Sequence, residues 1–160
     1  MNELFKKEPV KRVEEFLKKF DPNLKIIVLD TTARTAKDAA NSLKCELGAI
    51  VKSLVFKTED TFIICLVSGD KRCSLNKLKK ILNKKDVAMA NADQVKENTG
   101  FSIGGVAPTG HLKKLNIIVD KSLSRFKYVY GAAGHPDCVF RITYPELVKL
   151  TTGSEQEITE

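Results

Sequence analysis

Apolar residues recur at helical spacing from Pro9 to Phe20, where Val10, Val13, Phe16, Leu17 and Phe20 share one face and lysines and glutamates fill the other. This pattern predicts an amphipathic helix that ends at Pro22. Lys25–Leu29 (KIIVL) reads as a strand. Thr35 with Asp38 three positions on is a capping pair that opens a second helix, and Ala36, Ala39 and Ala40 let it pack closely. Ile50–Phe56 and Phe62–Val67 are strand-like runs separated by KTEDT, a hairpin signature. Ser74–Leu82 reads as a basic amphipathic helix with Leu75, Leu78, Ile81 and Leu82 inward and Lys77, Lys79 and Lys80 outward. Val87–Ala90 is a short strand. Asn91 with Gln94 caps a helix that stops near Gly100. Strands follow at Asn116–Val119, Lys127–Gly131 and Cys138–Ile142; Thr143 and Glu146 cap a last helix, and fraying is expected from Gly153. Hairpins interleaved with helices predict a single α+β domain: a mixed, mostly antiparallel and partly barrel-like sheet flanked by helices.

A length of 160 residues fits one domain with a proper core. No apolar stretch approaches a membrane span, and the charged N-terminus has no signal-peptide core. The expected location is therefore the cytoplasm, with no membrane partner. Cys45, Cys65, Cys73 and Cys138 show no paired spacing, and only His111 and His135 could join them, so buried thiols are expected rather than disulfides or a metal site. A net charge of +7, from 27 basic against 20 acidic residues, favours a polyanionic partner, with nucleic acid leading.

Two segments carry candidate chemistry. In the run AIVKSLVF, Ile50, Lys52, Leu54 and Phe56 alternate with Val51, Ser53 and Val55. Both faces are otherwise apolar, which marks a central strand and directs Lys52 toward an apolar layer. An ammonium there either snorkels to water or faces a polar cavity; the pattern alone favours the strand end reaching water. The second segment, TGFSIGGVAPTGH (Thr99–His111), concentrates Gly100, Gly104, Gly105, Pro108 and Gly110. Such a loop lets a ligand approach the main chain, and Pro108 stiffens it. It matches neither a P-loop nor the dinucleotide fingerprint. YGAAGHP (Tyr130–Pro136) is another small-residue turn, in which His135 can exchange hydrogen bonds near neutral pH. Taken alone, His135 and His111 both read as surface residues.

In order, TARTAKDAA (Thr32–Ala40), IVKSLVF (Ile50–Phe56), SGDKR (Ser68–Arg72), TGFSIGGVAPTG (Thr99–Gly110) and GAAGHP (Gly131–Pro136) resemble the YbaK family. Its members are free-standing aminoacyl-tRNA deacylases related to the editing domain of bacterial prolyl-tRNA synthetases. The resemblance runs from about Thr31 to Leu150 and places the editing domain on residues 1–152, with 153–160 as a tail. It implies a pocket for the charged tRNA 3′ end and hydrolysis of the ester that joins a wrong amino acid to the terminal ribose. By resemblance Lys52 is the essential strand lysine, Gly104 and Pro108 belong to the GxxxP loop around the aminoacyl adenosine, and His135 is similar to a pocket histidine of some branches. Gly105 and Gly131 join them as substrate-binding candidates.

No Ser–His–Asp or Cys–His set is evident, so the expected reaction uses water or a substrate group and needs neither a metal nor any other cofactor. The branch that removes cysteine has a serine where this chain has Ala132 and Ala133, which favours alanine on proline tRNA. The expected partners are the charged tRNA 3′ end and an aminoacyl-tRNA synthetase. The competing class is a noncatalytic tRNA- or synthetase-binding module with the same fold.

Overall fold

The computed structural model describes residues 2–30 and 35–160. Within them the order is α1 (Glu8–Phe20), β1 (Ile26–Val28), α2 (Ala36–Leu43), β2 (Val51–Thr58), β3 (Phe62–Ser68), α3 (Leu75–Leu82), β4 (Val87–Met89), α4 (Ala92–Thr99), β5 (Asn116–Asp120), β6 (Tyr128–Ala132), β7 (Cys138–Thr143), α5 (Tyr144–Thr151) and β8 (Ser154–Gln156). Short 3-10 turns at Glu3–Lys6, Leu47–Ala49 and Lys121–Arg125 complete it. Thr32–Arg34 of the TARTAKDAA segment lie outside the described residues.

Helix ends follow the expected side-chain chemistry. The N–H groups of Asp38, Lys77, Gln94 and Glu146 donate to the side chains of Thr35, Ser74, Asn91 and Thr143. Asn91 and Gln94 complete a reciprocal capping box. Gly100 ends α4 at φ +80°, in the left-handed region where glycine is favoured.

The fold is α+β, with two open sheets flanked by helices. One has strand order β4-β2-β3-β5-β8: β2 pairs antiparallel with β3 and β4, whereas β3–β5 and β5–β8 are parallel. The other, β1-β7-β6, is antiparallel throughout. They meet at a parallel bridge between Ile50 and Tyr130, and neither sheet closes on itself. β2 is central, as its two-sided apolar pattern predicts. Val51 and Val55 enter the core packed on α1, β6 and β7, whereas Phe56 enters a second core with Leu78 of α3, and Leu54 packs against it.

Two expectations about packing are corrected. Leu75 and Ile81 of α3 are 40% and 39% exposed, and Leu78 alone is fully buried, so the inward stripe is narrower than the pattern predicts. The C-terminal segment is anchored rather than frayed. β8 pairs with β5, Ile158 is completely buried, and its N–H donates to Asp120 Oδ1 at 2.8 Å. Cys73 and Thr159 form a bridge, and Glu160 N–H donates to Arg72 C=O at 2.9 Å. These bonds are mostly main-chain, made by a polar edge segment with no apolar alternation to announce it.

Candidate functional site

The seam between the sheets opens into a cavity of about 540 Å³. Its walls come from Val51–Leu54 of β2, Tyr130 and Ala132 of β6, Val139 of β7, Ala36 and Ala39 of α2, the loop residues Ile103, Gly104 and Val106, and Pro136 of the turn before β7. Lys52 and Gly104, far apart in sequence, border the same space. Most of the wall is aliphatic, which suits a small apolar group delivered with a polar handle.

Lys52 is partly buried, and its Nζ donates to Lys71 C=O at 2.6 Å. The amine is thus held by the turn after β3 instead of snorkelling to the strand end. An ammonium has three donors, so this bond leaves two for a ligand. Burial is the main cause of a pKa below the usual lysine value of 10.5, and the Arg72 charge adds to the effect. The turn itself is tied down. Arg125 clasps Asp70 at 2.7 and 3.1 Å and donates to Ser68 Oγ at 2.9 Å, which holds the Asp70 carboxyl at about 2. Ser68 in turn donates to Gly48 C=O.

The glycine loop and the 131–136 turn form the opposite wall by packing on each other. Gly105 N–H donates to Ser102 C=O, and Gly105 C=O accepts from Gly134 N–H at 3.1 Å. A Cβ on Gly105 would lie 3.0 Å from the main chain of Gly134 and His135, so any other residue would have to push these two segments apart by a few tenths of an ångström. Gly105 is therefore the hinge between the two loops, and its main-chain groups are already engaged. Gly104, at φ +95°, has open space on its Cβ side apart from Pro136 at 3.5 Å. Pro108 lies against Gly131, where a Cβ would meet its ring at 3.2 Å. Pro108 and Gly131 are both buried and brace the wall from behind.

His135 Nδ1 accepts from Asp137 N–H at 3.1 Å, which assigns the ring proton to Nε2 when the ring is neutral. Pro136, its neighbour, reaches the cavity lining. His111 is not a surface residue. Its Nε2 lies 2.7 Å from Ala107 C=O, its ring meets Phe101 edge-on, and burial lowers its pKa. Arg12 completes this brace. It donates to Gly110 C=O at 2.7 Å and to Thr99 C=O at 3.3 Å, and its guanidinium lies 4.5 Å from the centre of the Phe101 ring. Sequence reasoning missed Arg12, because nothing local connects a helix arginine to a loop about a hundred residues away. It also missed Tyr130 and Ile50, both of which line the cavity; each reads locally as a strand residue.

Of Ala132 and Ala133, only Ala132 faces the cavity, and Ala133 is fully buried in the core. Ser53 alternates with Lys52 along β2 yet also lines the cavity, and its Oγ is buried without a hydrogen-bond partner among the described residues. No group of three or more potential metal ligands occurs among the described residues, and no described helix is long and apolar enough to cross a membrane.

Residues 30–150 match the family model of the aminoacyl-tRNA editing domain. The solved structure of a candidate trans-editing enzyme for prolyl tRNA synthetase superposes with a TM-score of 0.91 at 37% identity, covering 96% of this chain and 98% of that one. YwhH of Bacillus subtilis, an uncharacterized protein, is 32% identical over 123 residues, which are 76% of this chain and 78% of YwhH. The proline–tRNA ligase of Thermosipho africanus is 36% identical over 105 residues, 65% of this chain but 18% of the ligase. The chain thus spans about a fifth of the length of the ligases it matches.

Proposed function

This chain belongs to the aminoacyl-tRNA editing domain family, and on that premise we propose that it acts in trans as a deacylase of mischarged tRNA. The substrate is proline tRNA carrying a small wrong amino acid such as alanine. The observation that carries this reading is the shared cavity of Lys52 and Gly104. Its aliphatic wall takes the amino-acid side chain, with Ala132 at the position that sets the available room. The Lys52 ammonium, fixed by the Lys71 carbonyl, binds the ester and the terminal ribose through its remaining donors. The Gly104 main chain, open on its Cβ side, lets the aminoacyl group come close to the backbone.

Hydrolysis needs no covalent enzyme intermediate. Water adds to the ester carbonyl, the bond from that carbon to the ribose oxygen breaks, and a proton of the water passes to the ribose oxygen as it leaves. If a substrate group attacks first, the acyl group moves to it and water must still cleave that acyl bond. The products are the free amino acid and an uncharged tRNA end. A fixed cation beside the carbonyl stabilises the negative charge that develops on its oxygen. Ser53 lines the cavity, but its buried hydroxyl has no hydrogen-bond partner among the described residues and therefore no base bonded to it, so we assign it no nucleophilic role. His135 presents an Nε2 proton from the adjacent turn, and we assign it to substrate binding together with Gly104. Gly105, Pro108 and Gly131 serve that binding by holding the wall in shape. The chemistry proceeds without a metal ion. The 3′ end of charged tRNA is the ligand, and a synthetase is the partner that supplies it.

The test is a panel of mischarged tRNAs incubated with the purified protein, with ester cleavage followed over time. Cleavage of alanyl ester on proline tRNA, with cognate prolyl ester spared, is the expected result. If the protein binds tRNA yet cleaves no ester in the panel, it is a noncatalytic module and the deacylase reading fails.

A further inference from the structure

Lys52 also lines a second cavity, of about 580 Å³. Its walls are Gly69–Cys73, Leu47, Leu54, Phe56, Leu75 and Met89. Lys52 and Leu54 are the residues common to both spaces. Two features set this cavity apart from the first. Lys52, Lys71 and Arg72 bring three cations to its rim, and the one carboxylate of that rim, Asp70, is already paired with Arg125. The positive charge is therefore unbalanced and calls for an anion. Facing those cations is an apolar shelf: Met89 is 57% exposed and Leu75 is 40% exposed.

Cations beside an exposed apolar shelf match the two halves of a nucleotide, its phosphate and the face of its base. The rim is also built to hold its shape. The Arg72 carbonyl accepts from Glu160 N–H, Cys73 bridges to Thr159, and the Lys71 carbonyl is bonded to Lys52, so the cations sit on an anchored main chain.

We infer that this second cavity binds the nucleotide preceding the terminal adenosine of a single-stranded tRNA 3′ end, with its phosphodiester on Arg72 and Lys71 and its base against Met89 and Leu75. The inference rests on the reading of the first cavity as the site of the aminoacyl end. Lys52 divides the two cavities, so an ester held at its amine sends the amino acid to one side and the polynucleotide to the other. The second cavity then measures the length of the end: a free aminoacyl nucleoside fills only the first space, whereas the tRNA end fills both. Among the described residues the Arg72 side chain makes no hydrogen bond or ion pair, and its charge acts on Lys52 through space, an effect that Arg72→Lys keeps, so the pair of variants tests ligand binding.

The experiment is a titration of the protein with the trinucleotide cytidylyl-cytidylyl-adenosine, and separately with adenosine, at several salt concentrations. Arg72→Ala should weaken trinucleotide binding about five- to tenfold at low salt and flatten the dependence of log K on log salt by about 0.7, the value for one phosphate contact on a single strand. Arg72→Lys should restore the slope, and adenosine binding should not change. The assignment is overturned if wild-type protein does not bind the trinucleotide, if Arg72→Ala binds it with unchanged affinity and slope, or if adenosine is weakened equally. Trinucleotide binding lost in Arg72→Ala, in a protein that cleaves no ester, would sink the deacylase reading and leave this site standing. Ester cleavage unaffected by Arg72→Ala would do the reverse.

Discussion

Replacing Lys52 by methionine keeps the length and apolar stem of the side chain and removes the charge. Two opposing effects on stability follow. The variant loses the bond from Nζ to the Lys71 carbonyl, a charge-assisted interaction in the range of about 1.5–3 kcal/mol. It also removes an ammonium whose burial is unfavourable enough to lower its pKa. The freed carbonyl borders an open cavity, where water can replace the lost donor. These effects offset each other, and the net change should stay within about 1 kcal/mol, a shift in Tm of no more than roughly 4 °C. Catalysis has no such compensation. A fixed donor aimed at developing charge contributes on the order of 10²–10³ in kcat, or about 2.7–4 kcal/mol. Thermal denaturation and single-turnover deacylation of alanyl-tRNA(Pro), each measured on the same preparation, separate the two effects. A methionine variant that melts like wild type and keeps more than about a tenth of its rate would refute the role given to Lys52.

Because the Lys52 pKa lies below 10.5, enzyme-dependent deacylation should fall on an alkaline limb lower than that value. The linked stability has a definite sign. Between the folded pKa and 10.5 the unfolded chain holds more protons at this site, so its contribution to stability rises with pH while activity is lost; a limb at or above 10.5 in a pH–rate profile would contradict this. Gly105→Ala should force apart the main chains of Gly105 and Gly134–His135, costing about 1–3 kcal/mol and lowering Tm by roughly 2–12 °C, with kcat falling as the wall shifts; an unchanged Tm would remove the hinge argument. Ala132→Leu should narrow the first cavity and lower kcat/KM for esters of larger amino acids more than for alanine, by about 1–3 kcal/mol of discrimination; equal losses across a series of mischarged tRNAs would show that Ala132 does not set the available room.

Local sequence determined the elements and the strand that carries the lysine. Caps at Thr35, Ser74, Asn91 and Thr143 fix where helices begin, because an orphan N–H finds its acceptor within three residues. Two-sided hydrophobicity made β2 central, because its residues bury both faces in the two cores. Glycines at 104 and 105 marked a loop whose main chain a ligand can approach. The sequence left open where the Lys52 amine goes, since alternation sets the face of a side chain but not what waits there. That outcome depends on the Lys71 carbonyl, held by a turn that Arg125 anchors from 55 residues away. Tertiary structure alone also decided that the Gly105 main chain joins two loops, that Arg12 and His111 brace the glycine loop, and that a polar tail becomes β8. Each of these contacts relies on main-chain groups or long-range geometry. Such groups are the same in every residue, so only the folded chain shows which of them meet.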